Sequence, residues 1–188
     1  MNQTKREQVI EIATKLFYQY GFTATGVDKI TMESGVTKKT IYSYFKSKDE
    51  LILAVLRRRD EQFRNYFMRA VEQHGKTASE RLIAIFTVLD AWLNSEGFFG
   101  CMFINAAAEF SEQSNPCHMM CSEHKRLMNS YIRDLATAAG AEDPESLSAE
   151  LSLLIEGAIV QAHVYGDKQA GLRAKKMAQT IINHAIST

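Results

Sequence analysis

Cys117, Cys121 and His124 fall at i, i+4 and i+7 in a segment of helical composition, which puts two thiols and an imidazole on one helix face. Metal ligation and thiol oxidation are the chemistries such a trio suggests. The spacing is not that of a Cys-x-x-Cys site, and three ligands on one helix complete a tetrahedron only with a fourth from elsewhere. Buried structural thiols are therefore the favoured reading, and neither a metal nor another cofactor is expected. Cys101 brings the cysteines to three, which cannot all pair within one chain, and a reducing compartment would keep them as thiols. A redox-sensing role for Cys101, Cys117 and Cys121 stands as an alternative. His118, His124, His163 and the carboxylates offer acid–base groups for a helical enzyme. No Gly-rich phosphate loop, nucleophile elbow or His-Glu-x-x-His pattern accompanies them, so no enzymatic activity is expected.

A second cluster is cationic, hydroxylic and aromatic: Lys38, Lys39, Thr40, Tyr42, Tyr44 and Lys48. Zero net charge conceals an asymmetry around it. Residues 1–73 carry 13 Lys and Arg against 9 Asp and Glu, whereas residues 74–188 carry 9 against 13, so an anionic partner would prefer the N-terminal end. Lys48 falls in the first turn of a helix, where its ammonium and the free N–H groups together favour a phosphate. Thr25 and Gly26 open another helix and offer a second such end.

Helices must position all of these groups. With 46% apolar content and only two prolines, Pro116 and Pro144, the chain suits an all-α fold of about nine helices. Val9, Ala13, Leu16, Phe17 and Tyr20 define a first helix over 4–20, closed by Gly21-Phe22. Thr25-Gly26-Val27-Asp28 fits a capping box for a short second helix that Gly35 stops. Thr37 caps a third over 38–45, with Ile41 and Phe45 turned inward. Two short helices joined by a tight glycine turn make a helix-turn-helix. Ser47-Lys48-Asp49-Glu50 opens a long fourth helix to about His74, linking the two functional parts, and Thr77-Ala78-Ser79-Glu80 opens a fifth. A sixth helix is expected over 102–112, and Asn115-Pro116 and Asp143-Pro144 open the seventh and eighth. The boundary that follows divides residues 1–48, which hold the helix-turn-helix, from residues 49–188. The polar N-terminus lacks a leader-like apolar core, and no stretch approaches the uninterrupted apolar length of a membrane span, so a cytoplasmic protein without a membrane partner is expected.

The segment Gly35-Val36-Thr37-Lys38-Lys39-Thr40-Ile41-Tyr42-Ser43-Tyr44-Phe45-Lys46-Ser47-Lys48-Asp49-Glu50-Leu51, preceded by Gly21-Phe22-Thr23-Ala24-Thr25, resembles the DNA-reading head of the tetracycline-repressor-like (TetR) bacterial regulators. The resemblance covers about the first 55 residues. Lys39 stands where that family often has a small residue, and Thr31-Met32 replaces an Ala-containing pair. The stretch from Gly100 to Phe110 looks like one found in a subset of these regulators. The resemblance implies that Lys38, Lys39 and Thr40 face base edges or nearby phosphates and that Tyr42 and Tyr44 contact phosphate. It further implies a homodimer on a near-palindromic double-stranded operator, with half-sites roughly 34–36 Å apart, and a repressor released by a small-molecule effector, with 1–48 as the DNA-binding head and 49–188 as the effector-binding and dimerisation part.

For the C-terminal part the residues themselves say less. Trp92, Phe99, Phe103, Phe110, Met120 and Tyr131 could line an apolar effector cavity, with Asn105, Glu109, Glu156, Gln161 and His163 as orienting groups. Core packing explains most of them equally well. The last two helices carry more apolar surface than one core needs, and Leu151, Leu154, Ala158, Met177 and Ile181 are the expected residues of a two-fold dimer interface. An architectural DNA-binding dimer without an effector, and activation in place of repression, complete the alternatives.

Overall fold

The computed structural model describes residues 4–186. Among them the chain forms nine helices and no strand: α1 (Lys5–Tyr20), α2 (Val27–Ser34), α3 (Lys38–Tyr44), α4 (Lys48–His74), α5 (Ala78–Leu93), α6 (Met102–Glu109), α7 (Pro116–Ala138), α8 (Pro144–Tyr165) and α9 (Ala170–Ile186). The chain divides into two compact units. One runs to Gln62 and takes in Cys101–His124; the other holds Phe63–Gly100 and the chain from Lys125 onward. The stretch around α6 thus belongs with the head's unit rather than with the C-terminal helices.

Local chemistry sets the helix ends. Thr4 and Glu7 form a reciprocal capping box on α1, and Thr77 and Glu80 form one on α5. Thr37 Oγ1 accepts the Thr40 N–H, Asn115 Oδ1 accepts the Cys117 N–H and Asp143 Oδ1 accepts the Ser146 N–H, which starts α3, α7 and α8. Two helix-end expectations are corrected. The N-cap of α2 is Gly26, with no side-chain cap, because Thr25 is buried and its hydroxyl donates to Leu16 O. The sixth helix ends at Glu109 rather than 112, because the backbone turns at Phe110 (φ −109°, ψ 70°).

In the first unit, α1 packs on α2 and α3. Val9, Ala13, Phe17, Phe22, Ile30, Ile41 and Phe45 form its interior, joined by Leu51, Val55 and Leu56 from α4. Burying each of the larger of these side chains favours the folded state by about 1.5–3 kcal/mol. His124 of α7 is tied to Asp60 of α4 (Nδ1 to Oδ1, 2.8 Å) and lies flat on the Phe103 ring (centroids 3.7 Å). All three residues are buried.

In the second unit α5 packs on α9 and α8, and α8 on α9. Leu82, Ile85, Phe86 and Leu89 meet Leu147, Leu151, Ala174, Ala178 and Ile182 in its interior. Gly171 permits the closest approach: a Cβ there would lie 2.6 Å from Asp90 Oδ1 and 2.7 Å from Asp90 Cα. By length and composition alone α8 is long and apolar enough to cross a membrane, although Glu150 and Glu156 interrupt its apolar run. Its buried face belongs to this interior, and Glu156 and Ser152 hydrogen-bond Lys125 and Asn129 of α7.

Candidate nucleic-acid interface

The short helix α3 is anchored from below and dressed from above. Ile41 and Phe45 are buried, so the helix cannot rotate without exposing them, while Lys38, Lys39, Tyr42 and Tyr44 are exposed and Thr40 is half-buried. Gly35, in the left-handed region at φ +66°, closes α2 and lets the chain turn into Thr37. Arg6 lies over the Phe45 ring at 5.2 Å, and the Tyr44 ring meets it edge-on. One face of α3 is therefore a compact cationic and phenolic surface on a fixed support.

The individual groups differ in readiness. The Lys38 ammonium sits 2.9 Å from Asp28 Oδ1, and that hydrogen bond, with Asp28's charge, raises its pKa above the ordinary lysine value. Both side chains are exposed, so the pair can open. Thr40 Oγ1 pairs with Thr37 Oγ1 at 2.9 Å and is committed to the helix cap. Gly26 is exposed at the uncapped start of α2, whereas buried Thr25 has only its backbone to offer. Lys48, half-buried in the first turn of α4, donates to Thr23 O at 3.2 Å. Ser43, which the sequence reading passed over, is exposed beside Tyr42 and Tyr44, its hydroxyl donating to Thr40 O.

The residues expected to line an effector cavity divide between the units. Phe103, Asn105, Phe110 and Met120 lie in the first; Trp92, Phe99, Tyr131, Glu156 and His163 lie in the second. Phe103 stacks on His124, and Phe110 meets Phe22 edge-on. In the second unit Trp92 packs against Phe63 and Phe98, and Phe98 against His163. Glu156 pairs with Lys125, at 2.6 and 2.8 Å. The Tyr131 hydroxyl is buried and has no hydrogen-bond partner among the described residues; burial, then the Glu72 charge, raises its pKa. The Glu109 carboxylate accepts the Phe22 and Thr23 amides. Nothing local could have signalled a contact spanning more than 80 residues.

Cys101, Cys117 and Cys121 are buried thiols. Burial, and after it the charge of Asp49, pushes the Cys117 thiol up to about 11, so it stays protonated near neutrality and is a poor nucleophile. Among the described residues no three His, Cys, Asp or Glu side chains group as metal ligands. Of the expected dimer residues, Leu151 and Ala158 are buried in the second unit's own interior, Leu154 and Ile181 are half-buried, and Met177 is exposed.

Comparison with known proteins places this arrangement. Residues 9–55 match the bacterial regulatory proteins of the tetR family, and residues 78–178 match the tetracyclin repressor-like C-terminal domain. The HTH-type transcriptional regulator YjdC of Escherichia coli is 20% identical over 181 residues, covering 96% of this chain and 95% of that protein. Among solved structures, a TetR-family transcriptional regulator from Streptomyces coelicolor superposes with a TM-score of 0.90 at 26% identity, covering 97% of this chain and 96% of that one. A TetR-type regulator from Streptomyces avermitilis gives a TM-score of 0.87 at 28% identity, with 97% and 98% covered. These relatives are regulators, not enzymes. The protein belongs to the TetR family of DNA-binding transcriptional regulators.

Proposed function

We propose that this protein is a cytoplasmic repressor that grips a near-palindromic double-stranded operator as a homodimer and lets go when a small molecule binds its C-terminal part. The observation that carries the reading is the outward face of α3, where Lys38, Lys39, Tyr42 and Tyr44 are exposed over the buried anchors Ile41 and Phe45. Such a helix suits the major groove, its first residues near base edges and its phenols near phosphates. Lys48 and the uncapped start of α2 at Gly26 supply flanking phosphate contacts. Residues 1–48 form the DNA-binding part in this reading and 49–188 the regulatory part.

The dimer contact is best supported by α8. Leu153, Gly157, Val160 and Val164 recur at helical spacing on its exposed side, with Leu153 75% and Val164 65% exposed. Leu172 and Met177 of α9 are exposed as well. An apolar strip with a glycine in it, facing away from its own core, suits close packing against its own copy. For the effector, the aromatic cluster around Trp92 and the unpartnered Tyr131 hydroxyl support a largely apolar ligand with one polar group near that phenol. The effector must favour the conformation whose heads no longer match adjacent half-sites, since equal affinity for both states shifts nothing.

The test is selection of bound sequences from a random duplex pool, followed by footprinting and sedimentation of the complex. Two protected half-sites about one helical turn apart, roughly 34–36 Å, under a two-fold assembly fit the reading. A single protected site under a monomer would contradict it.

A further inference from the structure

The head's first turn is held by a carboxylate from outside the head. Glu109, the last residue of α6, accepts the Phe22 N–H at 2.9 Å on Oε1 and the Thr23 N–H at 2.6 Å on Oε2. Gly21 makes room for it: its φ is +86°, and a Cβ there would come within 3.1 Å of Glu109 Oε1. On the turn's acceptor side, Lys48 donates to Thr23 O at 3.2 Å. The Phe22 ring is buried against Phe17 (centroids 5.2 Å) and against Phe110 (5.9 Å), the residue next to Glu109. The donors, the acceptor and the side chain of one turn are thus all fixed, and α6 and its end supply most of the grip. Bonds from amides to an ionised carboxylate are shorter and stronger than neutral ones, and two oxygens on two successive amides leave the turn little freedom.

We propose that Glu109 is a positioning residue for DNA binding: by clamping the α1–α2 turn it sets the orientation in which α2 and α3 meet the duplex. The inference rests on the reading of α3 as the DNA-reading helix. Phe22 and Thr23 lie four and three residues before Gly26, the N-cap of α2, so movement of this turn redirects the entry of α2 and α3.

Electrostatics alone makes the opposite prediction. Glu109→Gln removes a negative charge near a polyanion's binding site, so an unclamped residue at this position would leave affinity unchanged or raise it. The experiment compares wild type with Glu109→Gln and Glu109→Asp on a duplex selected by the wild type and on random duplex. Clamping predicts about tenfold weaker binding of Glu109→Gln to the selected duplex, as loss of one charge-assisted hydrogen bond implies. Random-duplex binding should be unchanged, and Glu109→Asp intermediate. Selected-duplex affinity at or above wild type, or equal loss on both duplexes, overturns the proposal. Independently of folding defects in the variants, the Phe22 and Thr23 amide proton resonances of the wild type should move together as Glu109 protonates, and their failure to move also overturns it. A wild type that selects no sequence removes the DNA-reading assignment and this inference with it. A selective wild type with an unaffected Glu109→Gln refutes the clamp alone.

Discussion

Lys38 cannot hold Asp28 and a phosphate at once. Its ammonium lies 2.9 Å from Asp28 Oδ1 in the free protein, and DNA must compete with that carboxylate. Asp28→Asn should therefore tighten binding about two- to fivefold, the scale of an exposed ion pair, while Lys38→Ala weakens it on every sequence; titration of both variants on one duplex checks this. Unchanged affinity for Asp28→Asn would mean that Lys38 never meets the duplex. Acid exposes another residue-scale effect. Burial alone would raise the Glu109 carboxyl, but the Phe22 and Thr23 amides, with Lys48 nearby, hold it below its ordinary value of 4.5. The capping hydrogen bonds do the same for Glu7 and Glu80. Because these folded-state values are depressed, the stability they confer is fully present above about pH 4.5 and drains away as the pH falls through the lowered values. Denaturant midpoints between pH 7 and pH 3 should fall more steeply for wild type than for Glu109→Gln, and parallel curves would deny the carboxylate its role.

Helices can be tested through the contacts that join them. Gly171→Ala forces a Cβ against Asp90 Cα where α9 meets α5, and overpacking of this kind typically costs about 1–3 kcal/mol, readable as a lower thermal midpoint. His124→Ala leaves the buried Asp60 carboxylate short of a partner and removes the ring stacked on Phe103. It should cost at least about 1–3 kcal/mol, and a wild-type midpoint would show that the α4–α7 tie is incidental. Helix starts at Thr37, Thr77 and Asp143 were legible because a capping oxygen acts on amides two or three residues away. Thr25 was not. It has the spacing of a cap, yet its hydroxyl turns to Leu16 O, a contact set by how α1 packs on α2. Glu109 was illegible for the same reason on a longer scale: its carboxylate serves amides at 22 and 23, and no local pattern in the sequence pairs those positions. On α8, periodicity showed a helix apolar around much of its circumference but not which side the chain itself covers. Leu151 and Ala158 went inward, and Leu153, Val160 and Val164 were left outside.

For the whole molecule, that outward strip and the α3 surface make linked demands. A two-fold operator complex needs both: the strip to join two copies, and α3 in each copy to read a half-site. Val164→Asp should shift the sedimenting species toward monomer and weaken operator binding, while leaving the helical circular-dichroism signal intact. A dimer that survives this substitution would move the interface off α8. The most direct test of the central claim is fluorescence anisotropy on a selected duplex across a salt series, for wild type, Tyr42→Ala and Lys39→Ala. If the outward face of α3 grips DNA, wild-type affinity falls steeply with salt. Tyr42→Ala then binds more weakly at every salt concentration, and Lys39→Ala lowers the log–log slope by about 1, the signature of one lost phosphate contact. Wild-type affinity and slope in both variants would contradict the account and place the DNA contact on another surface of the protein.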